Sequence, residues 1–83
     1  MAIDFGNISN ENYITNNIDE TLSTTTYIGK EDREGHWLVQ KIDETSGVVF
    51  TFASMKNNLD YGSYSGAWSI HATLVYGTYH EAV

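Results

Sequence analysis

Three histidines, His36, His71 and His80, are the side chains in this sequence best suited to metal ligation or proton transfer. No two of them stand two or four positions apart, so no helix or strand can present them as a local ligand pair. His36 and His71 fall on the polar faces of expected strands and could meet across a sheet. Solvated strand histidines explain the same pattern, and the expectation is that no metal is bound. Asn57, Asn58 and Asp60 form an oxygen-rich patch in a loop that also carries glycine, a composition able to hold calcium. Their spacing matches no EF-hand loop, and a turn whose side chains bond their own backbone accounts for them.

Acid–base catalysis needs two carboxylates in different environments. The acids here gather in turns, Glu31, Asp32 and Glu34 in one and Asp43 and Glu44 in another, where both members of any pair meet solvent. The chain has no cysteine, no glycine-rich phosphate loop and no nucleophile elbow. Asn7-Ile8-Ser9 has the form of a glycosylation sequon, but MAIDFGNISN lacks the basic and apolar regions of a secretory signal. The expectation is a protein that is no enzyme and needs no cofactor.

The aromatic residues say more. Trp68, Tyr61, Tyr64, Tyr76 and Tyr79 crowd one stretch and are interleaved with Ser and Gly. Tyrosine with serine and glycine is the composition of recognition loops, because tyrosine offers a large contact area at low entropic cost. Trp68 and Tyr76 fall on an expected core face, which leaves Tyr61 and Tyr64 to contact a partner. Tyr61, Tyr64 and Trp37 together could also form a sugar-stacking platform, as in a carbohydrate-binding module.

These residues must be positioned by strands. Ala67–Tyr79 alternates: Trp68, Ile70, Ala72, Leu74 and Tyr76 on one side, Ser69, His71, Thr73 and Gly77 on the other. That alternation predicts one long strand with a single buried face. Three further strands are expected at Thr24–Gly29, His36–Ile42 and Val48–Ala53, rich in β-branched and aromatic residues. Gly35 and Gly47 stand where the intervening turns need a positive φ. Trp37, Trp68, Phe50 and Phe52 are the large residues available for a core. No proline blunts an edge strand.

Residues 1–23 differ in texture. They are rich in asparagine, with apolar residues scattered at Ile3, Phe5, Ile8, Tyr13, Ile14, Ile18 and Leu22. The spacing of Ile14, Ile18 and Leu22 allows a helix, whereas Asn and Thr disfavour one and an extended arm fits as well. The division expected is an N-terminal arm over 1–23 and a β module over 24–83. The fold class is all-β: a small antiparallel sandwich or open barrel of about four to six strands with an extended N-terminal arm. On this division, removing residues 1–20 leaves the module folded.

Eighty-three residues make one domain, with a thin stability margin unless something staples it. Without cysteine the staple cannot be a disulfide, and the lack of cysteine fits an intracellular origin. Burial against a partner chain is the remaining route, so a homo-oligomer is expected. Eleven acids against four bases give a net charge of −7. That charge opposes nucleic acid, whose binding draws on Lys and Arg, and it opposes anionic membranes. No apolar run approaches the ~20 residues of a membrane-spanning helix.

Tyr27-Ile28-Gly29, the strand Trp37–Ile42, Gly47-Val48-Val49, then Ala53, Asn57, Asn58, Leu59 and Asp60, and finally Trp68 with Ala72–Tyr76 form a connected pattern. It resembles a group of short tailed-bacteriophage proteins with a YIG segment, a W-x-[IV]-x-x-I strand, an Asn/Asp loop and a closing aliphatic strand near Tyr. The chain departs from that pattern in residues 61–66 and in the N-terminal arm. The resemblance implies a virion structural protein, assembled in the host cytoplasm and residing in the virion. Within that class we expect a capsid decoration (cement) protein whose partners are other virion proteins, chiefly the major capsid protein. The contacts expected are Ile3, Phe5, Ile8, Tyr13, Ile14, Ile18, Tyr61 and Tyr64. A tail, connector or fibre-attachment component is the alternative within the class. Outside it stand the carbohydrate-binding module and a small acidic inhibitor of a host protein.

Overall fold

The computed structural model describes residues 13–82. Four strands form one open antiparallel sheet in the order of the chain: β1 (Ile14–Asp19), β2 (Thr25–Glu31), β3 (Trp37–Asp43) and β4 (Val49–Ser54). The all-β reading of the sequence holds, and the last three strands fall within one or two residues of the segments expected from β-branched and aromatic content. Gly35 (φ 89°) and Gly47 (φ 118°) take the left-handed conformation that their turns require.

The rest of the chain crosses one face of that sheet, passes the edge of β4 at Gly77 and ends against Phe52 and Ser54 of the other face. Here the long strand expected over Ala67–Tyr79 does not form. In its place stand a short helix α1 (Tyr64–Ser69), a 3-10 turn (His71–Thr73), an extended stretch and a closing helical turn α2 (Tyr79–Ala82). The alternation of Trp68, Ile70 and Leu74 fits period two, but Tyr64, Ala67, Trp68 and His71 also recur at helical spacing. Local hydrogen bonds decide between the two. Ser63 caps α1 by accepting from the Gly66 amide at 3.3 Å. The hydroxyls of Ser69 and Thr73 donate back to the Gly66 and Ile70 carbonyls at 2.7 and 2.9 Å.

The second revision concerns the N-terminal part. Residues 14–19 are neither a helix nor a free arm but the edge strand β1, paired with β2 from Ile14↔Glu31 to Asp19↔Tyr27 with a bulge around Asn16. The division at residue 23 therefore cuts through the sheet, because a β-branched segment with polar neighbours pairs readily along an open edge.

The core lies between α1 and one face of the sheet. Tyr27, Trp37, Val39 and Ala53 from the strands pack against Tyr64, Ala67 and Leu74, with Trp68, Ile70 and Tyr76 partly buried around them. Gly29 sits in the middle of this face. A Cβ there would come within 2.8 Å of the Trp68 ring and would also collide with the Tyr64 hydroxyl, so only glycine lets α1 approach this closely. Trp37, 1% exposed, donates its indole N–H to the Tyr61 carbonyl at 2.8 Å and so fixes the loop that follows β4. The same loop is held by Asn58, buried, whose amide donates to the Ser54 and Val75 carbonyls and accepts from the Val75 amide at 2.8 Å. At the far margin Gly77 exchanges two backbone bonds with Phe52, at 2.8 and 2.9 Å, and Ser54 donates to the Ala82 carbonyl.

Candidate interaction surface

In an antiparallel ladder, directly paired residues share a face. The rows Asn17–Gly29–Val39–Ala53 and Asp19–Tyr27–Lys41–Thr51 face α1. The rows Ile18–Ile28–Gln40–Phe52 and Thr26–Ile42–Phe50 therefore point the other way. Among the described residues little covers them. Ile18 is 57% and Phe50 53% exposed, and Ile28, Ile42 and Phe52 are half-buried. Leu38 and Ser54, at the end of this face near α2, are buried, and the Phe52 ring meets the edge of Tyr79 at 5.2 Å. Phe50, expected in the core, is thus a surface residue of an open sheet. The result is a contiguous apolar face beyond what scattered surface hydrophobics explain.

Charge is distributed unevenly between the two faces. Asp19, Glu31 and Asp43 belong to rows on the α1 side, whereas the rows of the open face hold no carboxylate. Lys30 stands at one end of the open face, half-buried, and that burial lowers its pKa. Glu20 and Glu44 stand just beyond the strand ends at the opposite end.

The residues expected to bind a partner are not brought together. Ile3, Phe5 and Ile8 lie outside the described residues. Tyr13 is half-buried, and burial, with the nearby Asp32 and Tyr79, raises its pKa. Ile14 and Ile18 are exposed on β1. Tyr64 is not available for contact. It is 8% exposed, and its hydroxyl donates to the Asn17 side chain at 2.6 Å. Burial, then the Glu31 charge, pushes its pKa up to about 12. Because Trp37 and Tyr64 are both interior, the three-aromatic sugar platform does not form. Tyr61 alone remains outside, on a cleft of about 240 Å³ whose lip carries Leu59, 86% exposed, and Val75. The pairing pattern of β1 and β4 is the signal that sequence reasoning missed. Phe50 and Phe52 are expected in the core from residue type alone, and the register places both on the face opposite α1.

The histidines separate as well. His36 meets Asp32 across its own turn, Nδ1 to Oδ2 2.9 Å, with Glu34 at 3.7 Å. The bond to Asp32 holds the His36 pKa above its ordinary value. Burial alone would raise the Asp32 carboxyl, but bonds from the His36 ring and from the His36 and Glu34 amides hold it below. Asp32, Glu34 and His36 are close enough to share an ion, yet the Asp32 bonds to the turn's own backbone account for the geometry. His71 instead lies flat against Trp68, ring centroids 4.0 Å apart, and edge-on to Tyr27 at 4.8 Å. Its Nε2 reaches Asp19 Oδ2 at 2.6 Å. The Asp19 carboxyl is held down to about 2 by the Thr21 amide and hydroxyl and by His71.

Scanned against protein families, and searched against curated proteins and solved structures, the chain gives no match.

Proposed function

We propose that this chain is a structural component of a tailed-bacteriophage particle, a decoration protein that works by burying surface against its neighbours rather than by chemistry. The observation that carries the reading is the open apolar face of the sheet, Ile18, Ile28, Ile42, Phe50 and Phe52. Among the described residues one side of the sheet is covered only near α2, and a domain of this size gains stability when another surface completes it. The motif resemblance over residues 24–77 points to the virion as the place where that surface is found. The acidic charge agrees with a role on a protein lattice and not on nucleic acid.

Density of purified particles at near-atomic resolution, with mass spectrometry of their proteins, tests this. Copies in the order of hundreds at regular lattice positions are the expected result, since closed symmetric shells repeat each contact many times. Roughly a dozen copies or fewer would move the protein to the tail or connector. Absence from purified particles overturns the proposal and favours a host-directed inhibitor.

A further inference from the structure

We infer that His71 is a protonation latch on the edge strand. As an imidazolium it ties Asp19 of β1 to the Trp68 carbonyl of α1. As a neutral ring it can hold only one of the two, and the Asp19 end of β1 opens as the pH rises.

The partners of the ring decide its charge. Nε2 lies 2.6 Å from Asp19 Oδ2, and Nδ1 lies 2.7 Å from the Trp68 carbonyl oxygen. A carbonyl oxygen only accepts, and so does an ionised carboxylate. Asp19 is ionised: the Thr21 amide and hydroxyl donate to its Oδ1 at 3.0 and 2.7 Å, and these bonds, with His71, hold its carboxyl down to about 2. Both ring nitrogens must therefore donate, which only the doubly protonated imidazole does. A neutral ring sets a lone pair against one of the two oxygens at hydrogen-bond distance. The indole of Trp68, stacked flat at 4.0 Å, also favours a cation over its face. The side chains of His71 and Asp19 are 18% and 23% exposed, so little water stands ready to replace a lost bond.

Other charged and titratable groups surround the ring. Tyr27 of β2 meets it edge-on, centroids 4.8 Å apart, and Tyr76 donates its hydroxyl to the His71 carbonyl at 2.6 Å. Burial raises the pKa of both phenols, so they stay neutral. From β3, Lys41 lies over the Tyr76 ring at 5.3 Å, and Asp43 acts on Tyr27 while the Thr45 amide and side chain hold its carboxyl below the ordinary value. From α1, Tyr64 stacks on Trp68 and anchors the other half of β1 through Asn17 at 2.6 Å. Its pKa of about 12 keeps that bond outside the titration. Opening therefore starts where Asp19 pairs with Tyr27. The sign follows: Asp19 stays ionised until strong acid, so the latch is closed from there up to the pH at which the ring gives up a proton.

NMR of the full chain, from about pH 5 to about pH 9, reads the ring and the strand in the same samples. The ring nitrogen shifts of His71 report whether it carries one proton or two. Amide protection, corrected for the intrinsic exchange rate at each pH, reports β1 against β3. A doubly protonated ring is expected wherever β1 is protected. As the ring loses a proton, protection at the Asp19 end of β1 should fall at least about tenfold, the scale of one charge-assisted bond, with no such step in β3. Asp19→Asn separates the latch from a merely structural contact. Its side-chain carbonyl can keep the Thr21 bonds while its amide nitrogen donates to the bare nitrogen of the neutral ring, so β1 should stay protected on both sides of the titration. His71→Phe, which keeps the stacking and has no donor, should leave β1 loose at every pH. A neutral ring beside a protected β1 overturns the inference, as does a ring titration that β1 ignores. So does a ring that keeps both protons up to about pH 9, or a step in Asp19→Asn equal to that of the wild type.

Discussion

His71 and Asp19 meet at 2.6 Å although fifty-two residues separate them in the chain. The second ring nitrogen of His71 lies 2.7 Å from the Trp68 carbonyl, so the imidazole bridges the edge strand β1 to the segment that packs over the core. Tyr64 makes a second such bridge to Asn17. Together they tie β1 to the covered face from two points, which explains why a polar, mostly exposed strand stays in the sheet.

Loss of the bridge should loosen β1 selectively. His71→Ala removes the stacking on Trp68 and the bond to Asp19, and the amides of residues 14–19 should then exchange with solvent much faster than those of β3. Hydrogen-exchange NMR measures both in one experiment. Uniform acceleration across all strands would show that the bridge supports the whole fold instead.

Acid should act at the same place. The folded Asp19 carboxyl sits at about 2 against an ordinary 3.8, so it is a depressed group. Its contribution is fully present above about pH 4 and is lost as the pH falls toward about 2. His36 has the opposite sign: its pKa is raised, so its bond to Asp32 stabilises below the ordinary value of 6.5 and is lost as the pH rises through the folded value. Melting temperature followed against pH should fall on the acid side in wild type and fall less in Asp19→Asn.

Gly29 tolerates no side chain. Gly29→Ala should destabilise the protein by about 1–3 kcal/mol, because α1 must shift away from the sheet. Urea unfolding followed by tryptophan fluorescence provides the value. Since Trp68 lies against this position, its emission should also change in the folded state.

Asn58 is the polar counterpart. Buried, it satisfies carbonyls of Ser54 and Val75 and the Val75 amide, and Asn58→Leu leaves those backbone groups without partners. A cost of about 2–3 kcal/mol in urea unfolding is expected. Asn58→Asp keeps the acceptor for the Val75 amide but turns a carboxylate oxygen toward the Ser54 and Val75 carbonyls, so it should cost at least as much in the same assay at neutral pH.

Truncation separates the edge strand from what precedes it. Removing residues 1–12 should leave the folded sheet, with circular dichroism and melting close to the full chain. Removing residues 1–20 takes β1, exposes the β2 edge and abolishes the bonds to His71 and Tyr64. Aggregation or a large drop in melting temperature is expected only for the longer deletion.

The hairpins β2–β3 and β3–β4 were legible in the sequence because their signals are local: β-branched runs bounded by Gly35 and Gly47, at which the chain turns. The segment Ala67–Tyr79 is not legible in the same way because its apolar residues satisfy two periods at once, and the tie is broken by the Ser63 cap and by hydroxyls that bond their own backbone. β1 was ambiguous for a different reason. Asn16 and Asn17 say little about strand or helix, and what holds the segment is distant, namely Tyr64 and His71. The exposed state of Phe50 could not be read from its type. It follows from register, which sends Phe50 and Ile42 to the side opposite α1.

The two backbone bonds between Gly77 and Phe52 occupy the outer margin of β4, and the irregularity at Asn16 interrupts the margin of β1. Among the described residues both borders of the sheet are interrupted, which disfavours adding molecules sideways one after another into a fibril. Crowding at high local density should therefore yield bounded clusters rather than endless growth.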